Sequence, residues 1–211
     1  MNNPLMKTFD GPFGTIPFND IKAEHFVPAI TKGIEDAESA IKSITDTKSK
    51  PTFENTILAL ELSGQKLGSA INTYYHLFGS ESDQKFKDLS DKISPMVAEF
   101  ENNIYLNESL FKRIEKVFDN KYLLEDEEDI RLINITYNDF VRNGAALSEA
   151  DKINLRDIDK KLSTLSPQFS KNTLNATNEF ELWLDKTDLD GLPDTVVEAA
   201  KLAAKEKGEL D

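Results

Sequence analysis

The chain has 211 residues, and its 38 aspartates and glutamates against 25 lysines and arginines give a formal net charge of −13. This acidic balance argues against a nucleic-acid binder, because such a protein needs a basic patch to displace counterions from phosphates. The absence of cysteine excludes disulfides, thiolate nucleophiles and cysteine-ligated zinc or iron–sulfur clusters, whereas 39% hydrophobic residues are enough to build the core of a globular protein.

Residues 1–19 form an arm that is predicted to be extended and irregular. Three prolines lack a backbone donor and two glycines favour turns, so a helix is disfavoured there. Its large apolar side chains predict that the arm packs across other elements and is anchored in the core: Phe9, Phe13, Ile16 and Phe18.

Apolar residues at mostly helical spacings predict the first two helices. The first begins at a cap on Asn19 or Asp20, runs to Ile44 and is kinked or split at Pro28. After a polar break, a long amphipathic stripe predicts the second helix over Phe53–Gly79.

The next two helices are predicted from caps and apolar spacing. Ser82 or Asp83 caps a third helix that runs to Ile104, with Pro95 expected to kink or restart it. A short fourth helix is predicted over Asn107–Val117.

Charge and capping signals place two further helices. The acidic run Glu125–Asp129 favours the start of a fifth helix, because negative charge suits a helix N-terminus, and Gly144 is a natural stop. Ser148–Asp151 resembles a capping box and opens a sixth helix that reaches Phe169.

The remaining residues contain the only convincing alternation of period two, over Glu179–Leu184. A single strand needs a partner, so this pattern indicates either a locally extended segment or pairing with a part of the protein outside the chain. Asp190 and Gly191 indicate a turn, and a last helix is predicted from a cap on Asp194 to a stop at Gly208.

Together these elements predict an all-α fold, an antiparallel helical bundle-like domain with at most one short extended segment near residues 179–184. The predicted domains are an N-terminal helical domain, residues 1–178, which includes the arm 1–19, and a short extended segment with a terminal helix, residues 179–211. No apolar stretch approaches the roughly 20 residues that cross a bilayer. Residues 1–10 also lack the pattern of a secretory signal, so we expect a cytoplasmic protein, or a periplasmic or exported one if a leader has been removed.

No residue pattern predicts a catalytic, metal-binding or cofactor-binding site. A zinc-peptidase helix carries two histidines four residues apart, whereas this chain has only His25 and His76, which we interpret as surface or hydrogen-bonded histidines. The carboxylates of Glu125–Asp129 are explained by a helix start rather than by acid–base catalysis. Residues 11–14 do not form a phosphate-binding loop, and no Gly-x-Ser-x-Gly motif is present.

The order of several short landmarks resembles the beginning of the thimet-oligopeptidase-like zinc metallopeptidases. The first are Pro12-Phe13-Gly14, Ile16-Pro17-Phe18, His25-Phe26, Pro28-Ala29 and Pro51-Thr52-Phe53-Glu54-Asn55-Thr56-Ile57. They continue with Ile104-Tyr105-Leu106-Asn107, Phe140-Val141, Gly144-Ala145, Asp151-Lys152, Leu165-Ser166, Phe169-Ser170 and Gly191-Leu192-Pro193. Residues 56–64 and 103–111 are most similar to the peptidyl-dipeptidase branch, followed by the bacterial oligopeptidases.

The resemblance implies that this chain is the N-terminal helical part of a longer, mostly helical enzyme whose two halves enclose a substrate channel. Family members hold zinc on a His-Glu-x-x-His helix plus a further glutamate and hydrolyse short peptides, and the peptidyl-dipeptidases release C-terminal dipeptides. The chain ends at Asp211, before the region that carries this motif, so no catalytic or zinc-binding residue transfers to it. The implied partners are a C-terminal catalytic half and short peptide substrates, with zinc in the full-length parent and none in this chain.

Two hypotheses follow. Either the chain is a channel-wall fragment that is inactive alone, or it is a free-standing helical interaction module without catalysis. A fragment should expose a contiguous apolar patch where the rest of the enzyme packs.

Overall fold

The computed structural model describes residues 3–7, 9, 11–80 and 84–208. Within these ranges the regular structure is entirely helical and contains no strand, which confirms the predicted all-α, bundle-like class. The helices are, in chain order, α1 (Ala23–Asp46), α2 (Ala59–Ser63), α3 (Gln65–Ser80), α4 (Gln84–Tyr105), α5 (Glu108–Asp119), α6 (Glu127–Arg142), α7 (Glu149–Glu179) and α8 (Asp194–Glu206).

The chain divides into two compact units, Met1–Lys171 and Asn172–Asp211. The first unit contains two clusters of buried apolar side chains, and α1 contributes to both of them. None of the described helices is both long and apolar enough to cross a membrane.

The first cluster joins the N-terminal half of α1 to α3 and α4. Its largest fully buried side chains are Phe26, Ile30, Tyr74 and Ile93. The helices approach closely at Gly33, where an added Cβ would lie 3.1 Å from Leu67. Burying a large apolar side chain contributes about 1.5–3 kcal/mol, so the buried side chains of this cluster favour folding of the unit.

The second cluster joins the end of α1 to a π-helical turn, Phe53–Leu58, and to α5 and α6. Buried Arg113 fixes this region, since its Nη2 donates to Asn55 Oδ1 at 2.8 Å and to Thr56 Oγ1 at 3.1 Å. Its Nη1 donates to the Ser49 carbonyl at 3.1 Å and thereby holds the polar segment before the turn.

The first helix begins later than predicted. Neither Asn19 nor Asp20 is its cap, because Phe18–Asp20 forms a separate 3₁₀ turn. Ile21 and Lys22 are then extended, and α1 begins at the next residue. The helix continues through Pro28 and is therefore not split.

The predicted second helix is interrupted. The π-helical turn leads into α2, and Gly64, with ψ near 1°, separates α2 from α3. Helix α3 ends at Ser80, one residue beyond Gly79, where the sequence predicts the end of the second helix. The predicted caps Ser82 and Asp83 of the following helix lie outside the described residues.

Other helix signals are confirmed. Asn107 caps α5, with its Oδ1 accepting from the Leu110 amide at 2.9 Å. Gly144 ends the fifth predicted helix with φ of +93°, and an added Cβ would lie 2.7 Å from Leu155 Cδ2. At Ser148 the hydroxyl both accepts from the Asp151 amide at 3.2 Å and donates to its carboxylate at 2.7 Å.

The last helix is confirmed, but its cap is not the predicted one. Asp194 is the first residue of α8, and Pro193 occupies the cap position, so Asp194 makes no side-chain cap.

The arm is irregular as predicted, and Phe9 and Ile16 are half-buried, but Phe13 and Phe18 do not anchor it. Phe13 is fully exposed at a positive φ of 60° in a turn that directs it away from the core, and Phe18 is also exposed. Leu5 is the buried anchor instead. Asn3 supports it by accepting from the Leu5 amide and donating to the His25 carbonyl at 2.7 Å.

The longest helix, α7, extends ten residues past the predicted end at Phe169 and continues through Pro167. The alternating segment that follows forms no strand, because the described residues contain no other strand to pair with it. Of the 31 residues of α7, only Lys152 is buried, and this exposure sets α7 apart from the helices before it.

Candidate functional site

The two histidines have separate surroundings. At the start of α1, His25 Nδ1 accepts from the Lys22 amide at 3.1 Å. This hydrogen bond gives a partner to a backbone N–H at the helix N-terminus, where amides have no partner within the helix. His76 is exposed on α3, with its ring 6.4 Å from that of Phe18. No group of three or more histidines, aspartates and glutamates in the described residues could hold a metal ion. Zinc, which the family implies, therefore has no fitting ligand set in this part of the chain.

The acidic run before α6 serves the helix start. Asp126 caps the helix, since its Oδ1 accepts from the Glu128 amide at 2.7 Å. Partial loss of hydration and repulsion by Asp126, Glu54 and Glu128 raise the pKa of Asp129. These contacts explain the run as a capped helix N-terminus.

A cleft of about 680 Å³ lies within the first unit between α4 and α7, with α3 and the end of α6 completing its walls. We call it the α4–α7 cleft. Two hydrogen-bonded contacts join the helices beside it: Arg156 Nη1 donates to Asn103 Oδ1 at 3.0 Å, and Lys171 Nζ lies 2.8 Å from Asp91 Oδ1. Its volume is in the range of pockets that bind small molecules.

Carboxylates and a buried amide line this cleft. Glu101 comes from α4 and Asp159 from α7. Glu101 reaches solvent at the mouth, yet the surrounding walls remove part of its hydration, and this effect and repulsion by Asp159 raise its pKa. Asn102 is only 9% exposed, and its side-chain amide makes no hydrogen bond with any described residue.

Two tyrosines contribute to the same walls. Burial, and then the negative charges of Asp139 and Glu101, raise the pKa of Tyr105, whose ring packs edge-on against Phe140 with centroids 5.1 Å apart. The Tyr75 hydroxyl is 3.2 Å from Ser94 Oγ. The cleft thus combines negative charge, an asparagine amide that solvent reaches and aromatic surface.

Sequence reasoning missed this group. Its only local signal is the run Glu101-Asn102-Asn103, which places polar residues between the apolar positions Phe100 and Ile104 of a helix. The contribution of Asp159 could not be found from sequence, because it is one of many acidic residues on an exposed helix.

A second surface lies on α7. Apolar side chains at spacings of four, three and four residues share one face and are 50–72% exposed: Ile158, Leu162, Leu165 and Phe169. We call these residues the α7 stripe. An exposed row of this kind is typical of a helix face that packs against another surface.

Comparison with known proteins shows that this chain is similar to metallopeptidases of the thimet-oligopeptidase-like kind, as its landmarks predict. Among its relatives, dipeptidyl carboxypeptidase of Escherichia coli is 32% identical over 208 residues, which are 98% of this chain. Oligopeptidase A of Salmonella typhimurium is 27% identical over 209 residues, also 98% of the chain. Saccharolysin of Saccharomyces cerevisiae is 26% identical over 150 residues, or 70% of the chain and 21% of that relative.

The match covers the relatives only in part. The chain spans about 30% of the length of the dipeptidyl carboxypeptidase and of oligopeptidase A. No family model matches the chain.

Proposed function

We propose that this chain is the N-terminal, non-catalytic part of a longer zinc metallopeptidase that hydrolyses short peptides. The observation that carries the proposal is the match itself, which covers 98% of this chain but only 30% of a dipeptidyl carboxypeptidase. We assign the metal and the catalytic groups to the rest of the parent, because the match leaves about 70% of the dipeptidyl carboxypeptidase and of oligopeptidase A outside the region that this chain covers.

Within that parent, the role we propose is a rigid channel wall. The two core clusters hold α1 and α3–α6 as a packed scaffold, and the α7 stripe is the face against which the remaining enzyme packs. Removal of apolar surface from water contributes about 25 cal/mol per Å², so covering these four side chains would favour association of the two parts. As part of this role we propose the domains predicted from the sequence, an N-terminal helical domain at residues 1–178 and a terminal segment at residues 179–211.

The activity we propose is that of a peptidyl-dipeptidase, which releases C-terminal dipeptides. It is supported by the higher identity to dipeptidyl carboxypeptidase, 32%, than to oligopeptidase A, 27%. A cytoplasmic location is proposed as well, in line with a relative in Arabidopsis thaliana that is named probable cytosolic oligopeptidase A.

The test compares this chain with its parent. We expect the reading frame to continue past Asp211 into a His-Glu-x-x-His motif. The full protein should release dipeptides from the C-terminus of a quenched fluorescent peptide and lose that activity with a chelator, and the 211-residue chain should be inactive with added zinc. A reading frame that ends at Asp211, or zinc-dependent hydrolysis by the chain alone, would contradict the proposal. In the first case the interaction-module hypothesis would replace it.

A further inference from the structure

We propose that residues 180–184 form one strand of a β-sheet, paired in parallel with a strand that follows Asp211 in the longer parent. We call these residues the alternating segment. The inference rests on the proposed function, because the partner strand belongs to the part of the parent outside this chain. All the residues that carry it lie in the second unit, and it gives a role to the period-two alternation that the helical scaffold leaves unused.

The backbone of the alternating segment offers a free strand edge. The chain leaves the helical conformation after Glu179, and no amide of residues 181–184 donates a hydrogen bond to a described residue. Consecutive non-helical residues with free N–H and C=O groups form the kind of edge to which another strand adds. The next amide, that of Asp185, donates to Asp188 Oδ2 at 3.0 Å, so the free edge ends at Leu184.

The side chains of the segment divide into two faces. Phe180, Leu182 and Leu184 fall on one face by alternation and are 41–73% exposed. On the other face, Trp183 Nε1 donates to Glu181 Oε2 at 3.1 Å, a contact between residues i and i+2 that a strand conformation allows. No described residue of the second unit is buried. The apolar face therefore has no cover, and a strand with such a face is stable only in a larger sheet or against a helix.

Helix α8 brings the chain back to the beginning of the segment. Lys207 directly follows this helix and forms an ion pair with Glu181, with Nζ 2.6 Å from Oε1. The 13 residues of α8 are about 20 Å long, and the segment as a strand would be about 17 Å long. Parallel strands need a crossover connection of this kind, usually a helix, whereas antiparallel strands can be joined by a tight turn. The next strand would thus begin beside Glu181 and run parallel to the segment.

Chain length and charge favour a strand of the parent as the partner. This chain spans about 30% of the length of the dipeptidyl carboxypeptidase, so most of a parent of that kind is available to supply the strand. A second copy of this chain is the poorer partner, because each copy carries a net charge of −13 and Glu179 and Glu181 lie at the edge. The partner strand should carry apolar residues at alternate positions, so that they extend the apolar face of the segment.

Hydrogen exchange of single amides tests the pairing. In the parent, every second amide of residues 181–184 should exchange at least about tenfold more slowly than in the 211-residue chain, because successive amides point to opposite sides and only one side meets the neighbouring strand. Mass spectrometry with electron-transfer fragmentation resolves these amides. Unchanged exchange, or equal slowing of all four amides, would overturn the inference.

A variant of the apolar face sharpens this test. Leu182→Ser should speed exchange of the protected amides in the parent at least about tenfold, because it removes an apolar side chain from the covered face. Thr187→Ser, at an exposed polar position just beyond the segment, is the control and should leave the exchange unchanged. Circular dichroism establishes that both variants are folded. If L182S keeps the protection, or if T187S loses it, the inference is wrong.

Photo-cross-linking identifies the partner. In the parent, Trp183→p-benzoylphenylalanine should cross-link to a peptide that begins within about 15 residues of Gly208, since a helix and the following strand are joined by a short loop. A cross-link to a second copy, or to a distant region of the parent, would overturn the inference.

The two proposals fail separately. A parent that releases dipeptides but shows no alternating protection contradicts only the strand pairing. A parent that shows this protection but hydrolyses no peptide contradicts only the proposed function. A reading frame that ends at Asp211 contradicts both.

Discussion

The first and the longest helices of the chain show how differently two amphipathic helices can be used. Helix α1 buries six of its 24 residues against α3, α4 and the second cluster, whereas α7 buries one of 31. Both carry apolar side chains at helical spacing, but those of α1 are covered by other helices of the unit and those of α7 largely face solvent. An apolar stripe therefore predicts a helix, whereas its burial depends on whether a covering surface is present in the chain.

The largest effect should come from truncating a core phenylalanine. Phe100→Ala or Phe53→Ala removes a ring that is less than 10% exposed, so we expect a loss of about 3–5 kcal/mol in the free energy of unfolding. The matched change on α7, Phe169→Ala, affects a ring that is 72% exposed and should cost less than about 1 kcal/mol. Urea denaturation followed by circular dichroism measures both values. Equal losses at Phe100 and Phe169 would show that α7 is covered in solution, which would remove the contrast.

A second comparison concerns two glycines. Gly144→Ala should cost about 1–3 kcal/mol, because φ is +93° and the new methyl group would collide with Leu155 on α7. In contrast, Gly68→Ala lies inside α3 with open space around it and should stabilise the chain by about 0.5–1 kcal/mol. Thermal denaturation of both variants checks the opposite signs. An unchanged stability of the Gly144→Ala variant would indicate that α7 moves away from the end of α6 with no loss in the free energy of unfolding.

A smaller effect is expected from Glu101→Gln in the cleft. The pKa of Glu101 is raised in the folded state, so the folded chain binds this proton more tightly than the unfolded chain does, and stability decreases as pH rises from the ordinary glutamate pKa through the folded value. The glutamine variant avoids this loss and should be more stable at neutral pH by up to about 0.5 kcal/mol. Melting temperatures at pH 3.5 and pH 7 measure the difference, which should disappear at the lower pH. A less stable variant at pH 7 would mean that the carboxylate has a favourable partner.

The smallest effect on stability is expected at the α7 stripe. Leu165→Ser changes a side chain that is 60% exposed, and the unfolding free energy of the isolated chain should change by less than about 0.5 kcal/mol. The same substitution should weaken association with the remaining part of the parent, measured by calorimetry between separately produced parts. Asn154→Ser, at an exposed polar position of the same helix, is the control and should change neither quantity. An unchanged association for Leu165→Ser would place the packing face elsewhere.

Much of the helical layout could be predicted from local signals. Asn107 and Gly144 mark helix ends because a cap side chain and a positive φ are local requirements, and the order of landmarks indicated the family. The start of α1 was misplaced because both Asn19 and Asp20 are good cap residues, yet the chain turns once more before the helix begins. The prediction that Phe13 is buried was wrong. The backbone conformation of a turn sets the direction of its side chains, and this turn points the Phe13 ring outward.

The sequence by itself determined most of the helices and the resemblance to the family, because helix formation depends on spacings and caps within a few residues and landmark order is read along the chain. Only the tertiary structure decided that Glu101, Asn102 and Asp159 share one cleft and that the α7 stripe faces solvent. These properties depend on which helices pack together, and packing joins residues more than fifty positions apart, a distance over which periodicity carries no information.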